Sequence, residues 1–174
     1  MKKLNTKKLV LAAVVAAMYT VLSYFGNIFG ITYGGMQCRF SEALTVLPFF
    51  FPWTAWGLFA GCILTNILSP MGIADLVFGS LATLIAGLCT ARVKNKLLAP
   101  VPPVIANGVI IGAMIAYFEA GGFNSKFPEA FALNGALVAA GEIIACCFLG
   151  SLILVVVPKI KFLRDMVPEE RLNN

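Results

Sequence analysis

Long apolar runs punctuated by short basic clusters set the frame for this chain. The runs cover about residues 9–25, 43–69, 71–91, 101–118 and 130–157. About 20 such residues span the hydrocarbon core of a bilayer as a helix, the form in which a single segment satisfies its own backbone polar groups there. With 60% hydrophobic and 12% charged residues and a mean hydropathy of +0.91, the chain has too little polar surface for a water-soluble globule, where about 25% of residues are charged.

The run over 43–69 is too long for one span and short for two. Pro48 and Pro52 bracket Phe49, Phe50 and Phe51, and Trp53 and Trp56 follow. Proline breaks helices and aromatic side chains collect at the membrane interface, so a tight helical hairpin is expected here. Charge supports the split. The 13 Lys and Arg residues, Arg39 and Lys126 apart, lie in clusters at Lys2–Lys8, Arg92–Lys96 and Lys159–Arg164, or at Arg171. Basic clusters stay cytoplasmic, so the chain must cross an even number of times between them. Six transmembrane helices are therefore expected at about 8–26, 39–51, 53–69, 73–92, 101–119 and 130–157, in one domain over 1–174 with both termini cytoplasmic. The fold class is an all-α membrane bundle. The first run follows four lysines, as in a signal peptide, but no small-residue cleavage site follows Phe25, and it is expected to be retained.

Composition also excludes functions. No histidine is present, which removes the commonest metal ligand and the usual proton shuttle; no metal site is expected. Cys38, Cys62, Cys89, Cys146 and Cys147 are odd in number and, Cys38 apart, lie in apolar runs. They read as small apolar filler rather than a disulfide framework. The net charge of +5 is topological, not a nucleic-acid-binding face. No GxxxxGK[ST] loop occurs, so this chain is not expected to bind ATP or another cofactor. GxSxG, HExxH and CxxC are absent too, and no catalytic residue or enzyme activity is expected.

Arg39, Glu42, Asn66, Asp75, Asn107, Glu119, Asn134 and Glu142 stand at membrane depth or at the outer ends of the helices. Glu142 lies about 18 Å into the last helix, and Asn107 alone falls in the inner half. Ionisable groups in the membrane are costly and mark functional sites. Their convergence suggests a polar pocket, open to the outside, for a small polar solute. Structural roles compete. Asp75 and Asn134 suit helix starts, Arg39 is spaced to pair with Glu42, Glu119 fits an exposed interface, and Asn66 and Asn107 fit interhelical glue. Glu142 is the hardest to explain structurally.

Ala12/Ala16 and Ala13/Ala17 on helix 1, Gly57/Gly61 on helix 3 and Gly108/Gly112 on helix 5 are small-xxx-small pairs that admit a close helix neighbour. That neighbour is either within the bundle or in a partner protein.

The segment Gln37-Cys-Arg-Phe-Ser-Glu-Ala-Leu-Thr-Val-Leu-Pro48 resembles the second-helix signature of the queuosine-precursor transporter (QueT-like) family. Asp75-Leu-Val-Phe-Gly-Ser-Leu-Ala-Thr83, Pro102-Pro103-Val104 with Asn107, and Gly141-Glu142 extend the resemblance over about residues 5–160. The family is similar to the substrate-binding S components of energy-coupling factor (ECF) transporters. The resemblance implies a subunit that binds solute from outside and joins a membrane coupling protein and two cytosolic ATPases, which bind the ATP. It implies that Ala12, Ala13, Ala16 and Ala17 dock to the coupling protein. The implied solute is a 7-deazaguanine such as preQ1 or preQ0, with Glu142 reading the guanine edge and Glu42 or Asp75 meeting the aminomethyl cation. The two carboxylates are interchangeable at this stage. Arg39, Asn66, Asn107 and Asn134 complete the expected site, with stacking by Tyr33, Phe40 or Tyr117. An S component for another vitamin-like solute and a stand-alone secondary transporter remain as alternatives.

Overall fold

The computed structural model describes residues 6–29 and 39–172, and these form helices with no strand among them. The main elements are α1 (Thr6–Ile28), α2 (Phe40–Phe49), α3 (Thr54–Asn66), α4 (Asp75–Thr90), α5 (Val101–Ala120) and α6 (Phe127–Lys159). Two single-turn helices, α7 (Lys161–Arg164) and α8 (Glu169–Leu172), follow. α1, α5 (with the turn over Lys96–Leu98) and α6 are long and apolar enough to cross a membrane, whereas α2 and α4 are shorter apolar helices. The outer loop expected over 27–38 lies mostly outside the described residues.

The long second run divides as its prolines suggest. α2 closes at Phe49, and α3 starts after the Phe51 carbonyl accepts the Thr54 N–H at 2.9 Å. The conformation of α2 is less expected: it is a 3₁₀-helix for ten residues, where runs beyond 3–4 residues are uncommon. Two sequence features bear on this. Pro48 would clash with the carbonyl four residues back in an α-helix, and the whole of Ser41–Phe49 is buried, so surrounding packing outweighs intrinsic preference. At about 2.0 Å rise per residue, α2 reaches some 20 Å through the bundle. Its i, i+3 side chains also eclipse, which stacks Arg39, Glu42 and Thr45 in one row.

Glycines set the closest helix approaches. A Cβ on Gly61 would fall 2.6 Å from the Ala16 carbonyl oxygen, and one on Gly57 would meet the Ala12 carbonyl. α1 and α3 thus touch backbone to backbone along Ala12 and Ala16. A Cβ on Gly112 would fall 2.5 Å from the Gly135 Cα, so α5 and α6 pack the same way. The main core joins Tyr19, Phe49, Phe50, Phe51 and Leu58, with Val167 of the C-terminal segment buried against it. Arg171 secures that segment: its guanidinium donates to the carbonyls of Ala91 (2.9 Å) and Val93 and lies 5.0 Å from the Phe49 ring centre.

Candidate solute-binding site

α2 carries its polar row into the middle of the bundle, where two linked clusters form around it. In the first, Arg39 Nη2 lies 3.0 Å from Asp75 Oδ2. Ser69 Oγ donates to the same oxygen at 2.6 Å, and Arg39 Nη1 donates to Asn66 Oδ1 at 3.4 Å. Asn66 Nδ2 donates to the Asp75 carbonyl at 2.9 Å and to Cys62 Sγ at 3.3 Å. Asp75 opens a π-helical turn over Asp75–Gly79, and Gly79 leaves room for the cluster: a Cβ there would fall 2.6 Å from Asn66 Nδ2 and 2.8 Å from Asp75 Oδ1.

The second cluster holds two carboxylates. Tyr19, buried in α1, donates its hydroxyl to Glu42 Oε1. Asn107 Nδ2 donates to Glu142 Oε1 at 2.8 Å. The Cys146 thiol lies 3.3 Å from both Glu142 Oε2 and the Glu42 carbonyl; its single proton serves one at a time. Thr45 Oγ1 donates to that carbonyl at 2.6 Å. Cys146 belongs to a π-helical stretch, Ile143–Gly150, that starts directly after Glu142; such bulges occur frequently at functional sites.

Three buried carboxylates, Glu42, Asp75 and Glu142, thus share these two linked clusters with one guanidinium, Arg39, which pairs with Asp75. Glu42 Oε2 and Asp75 Oδ1 are buried with no hydrogen-bond partner among the described residues. Burying an acceptor without a partner is costly, so the cluster is suited to a guest rich in N–H donors and bearing positive charge. Among the described residues no group of three or more His, Cys, Asp and Glu side chains is placed to hold a metal ion.

Arg39, Glu42, Asn66, Asp75, Asn107 and Glu142 are all buried and belong to these clusters. Asn134 does not join them. It donates to Glu119 Oε2 at 2.5 Å and to the Ala130 carbonyl at 2.9 Å on the part-exposed side of α6, because its position on the helix turns it toward α5. It is not a helix cap, and neither is Asp75, whose side chain is committed to Arg39 and Ser69. Ala12 and Ala16 pack against α3, while Ala13 and Ala17 are exposed. Phe40 is half-buried, Tyr117 is exposed among Phe118 and Phe123, and Tyr33 and Cys38 lie outside the described residues. Tyr19, Thr45, Cys62, Ser69 and Cys146 are cluster members that the residue-type argument passed over. Cys62 and Cys146 are not apolar filler but hydrogen-bonding thiols. For Tyr19 the available signal is spacing: Val15, Tyr19 and Ser23, four residues apart, form one buried face of α1.

An all-helical apolar bundle with ionisable groups at its centre defines a multi-pass membrane protein. The residue pattern of the family described as QueT transporter matches residues 9–159. The chain belongs to the QueT transporter family. It is 36% identical over 85 residues to the Queuosine precursor transporter QueT of Lactococcus lactis subsp. cremoris (strain MG1363), an alignment covering 49% of this chain and 50% of that protein. The chain thus spans about half the length of the curated relative it matches. No solved structure matches.

Proposed function

We propose that this chain is the solute-binding S component of an ECF-type transporter that imports a 7-deazaguanine precursor of queuosine, preQ1 or preQ0. In this reading α1 to α6 are six spans with both termini cytoplasmic. A membrane coupling protein and two cytosolic ATPases power release, so this chain binds no ATP. The exposed Ala13 and Ala17 face of α1 is the part of the small-residue stripe left for the coupling protein, since Ala12 and Ala16 are engaged by Gly57 and Gly61.

One observation carries the reading: Glu42 and Glu142 are buried beside one another, and Glu42 Oε2 lacks a partner among the described residues. A guanine-like ring offers an N1–H and an exocyclic amine, two donors spaced for one carboxylate, and preQ1 adds an ammonium. Asp75 is neutralised by Arg39, which favours Glu42 as receiver of the cation. Glu142, oriented by Asn107, takes the guanine edge.

The test is to purify the chain, identify any co-purified small molecule by mass spectrometry, and titrate the stripped protein with preQ1 and preQ0. Binding of a deazaguanine supports the reading. A flavin or thiamine in the site would overturn the assigned solute while sparing the S-component class.

A further inference from the structure

We infer that Tyr19 is a positioning residue that makes the site discriminate for a positively charged 7-substituent. The inference rests on the reading of Glu42 as the receiver of the cation.

The geometry is specific. Tyr19 is buried in α1, 23 residues before Glu42 in the chain, and its hydroxyl donates to Glu42 Oε1. Oε2 of the same carboxylate has no partner among the described residues. One hydrogen bond on one oxygen fixes the rotation of the carboxylate and leaves the other as the free acceptor.

The reach of Tyr19 is built into the packing. A Cβ on Gly61 would fall 3.0 Å from the Tyr19 Cβ. The bare glycine therefore lets α1 approach closely enough for Tyr19 to stay between α1 and the row on α2. One turn away, Ser23 Oγ donates to Ser41 Oγ at 2.7 Å, so α1 holds the outer part of α2 at two points. Of these two contacts, the one from Tyr19 reaches the Glu42 carboxylate.

A residue that merely supports the fold would affect all ligands alike. One that orients an anionic oxygen matters most for a ligand carrying a cation there. The 7-aminomethyl deazaguanine preQ1 is cationic and the 7-nitrile deazaguanine preQ0 is neutral, with the same ring. The experiment measures both affinities for detergent-purified full-length protein by titration calorimetry, in wild type, Tyr19→Phe, Ser23→Ala and Glu42→Gln. Tyr19→Phe should weaken preQ1 by roughly 10-fold or more, as expected for a lost hydrogen bond to a charged group, and preQ0 by less than about threefold. Ser23→Ala should change both affinities by the same factor. Glu42→Gln should remove the wild-type preference for preQ1, an arm that stands even if Tyr19→Phe does not fold.

Equal losses for both ligands in Tyr19→Phe, or a preference for preQ1 that survives Glu42→Gln, would overturn the role given to Tyr19. Wild-type protein that binds neither compound would instead overturn the proposed function itself.

Discussion

The guanidinium of Arg39 lies 3.0 Å from the carboxylate of Asp75, tying the start of α2 to the start of α4 with both side chains buried. Losing one partner of a buried pair leaves an uncompensated charge, a penalty of about 3–5 kcal/mol, whereas neutralising both is far milder. Arg39→Met and Asp75→Leu should each lower the thermal midpoint in detergent strongly, and the double variant should recover most of the loss. Single variants that melt like wild type would show that the pair is not what holds these ends together.

α1 and α3 touch through Gly57 and Gly61, where an added Cβ would meet the Ala12 and Ala16 carbonyls. Backbone atoms cannot rotate aside as a flexible side chain can, so the helices must separate. Gly57→Val and Gly61→Val should cost about 1–3 kcal/mol or more by overpacking. The separation at Gly61 should also weaken preQ1 binding, because Tyr19 shares that contact. Size-exclusion profiles, melting and titration check this together. A stable Gly61→Val protein of unchanged affinity would contradict the close approach.

Arg171 holds the C-terminal segment by donating to the Ala91 and Val93 carbonyls at the end of α4 while lying over Phe49. Ala91 is the C-cap of the helix and Val93 follows it, so both carbonyls lie past the point where intrahelical partners are available. A fork-shaped guanidinium can serve two acceptors and stack at once, which an ammonium cannot. Arg171→Ala should therefore free the segment and speed tryptic cleavage at Lys161 and Arg164 severalfold, with Arg171→Lys restoring little. The bundle's own melting should move by roughly 1–2 kcal/mol, since the residue is only half-buried. Cleavage at the wild-type rate would show that other contacts retain the segment.

Helix positions were legible because apolar runs, prolines and basic clusters all report on one physical constraint, the cost of polar groups in hydrocarbon. Pro48 and Pro52 marked the α2–α3 break, and α6 ran from Phe127 to Lys159 against an expectation of 130–157. The 3₁₀ form of α2 was not legible, because it is set by neighbours on every side of Ser41–Phe49. Burial of Glu42, Asp75 and Glu142 followed from residue type and depth. Their partners did not: Arg39 and Asp75 are 36 residues apart, and Tyr19 and Glu42 are 23 apart. Spacing along one helix offered Glu42 to Arg39, while the π-turn at Asp75 brings in a carboxylate from another element. Asn134 shows the converse, since a polar residue at the right depth still turns toward Glu119.

Asn107 and Cys146 approach Glu142 from opposite sides, with Nδ2 2.8 Å from Oε1 and Sγ 3.3 Å from Oε2. The two contacts differ in strength, and substitutions should reveal it. An amide N–H to a carboxylate is charge-assisted and short, whereas a thiol is a weak donor. Asn107→Leu removes the stronger donor without adding charge and should weaken deazaguanine binding about 10- to 100-fold, because Glu142 loses its orientation and the ring loses a neighbouring amide. Asn107→Asp should be worse than Asn107→Leu: it sets a third carboxylate against Glu142 and Glu42, a like-charge contact in a buried site. Cys146→Ser keeps a donor of similar size and should stay within about threefold of wild type, while Cys146→Val removes the donor and should fall between the serine and Asn107→Leu variants. Titration of preQ1 into the four purified variants gives the order directly. If Asn107→Asp bound more tightly than Asn107→Leu, Asn107 would be facing the ligand's cation rather than orienting Glu142, and the two carboxylates would exchange roles.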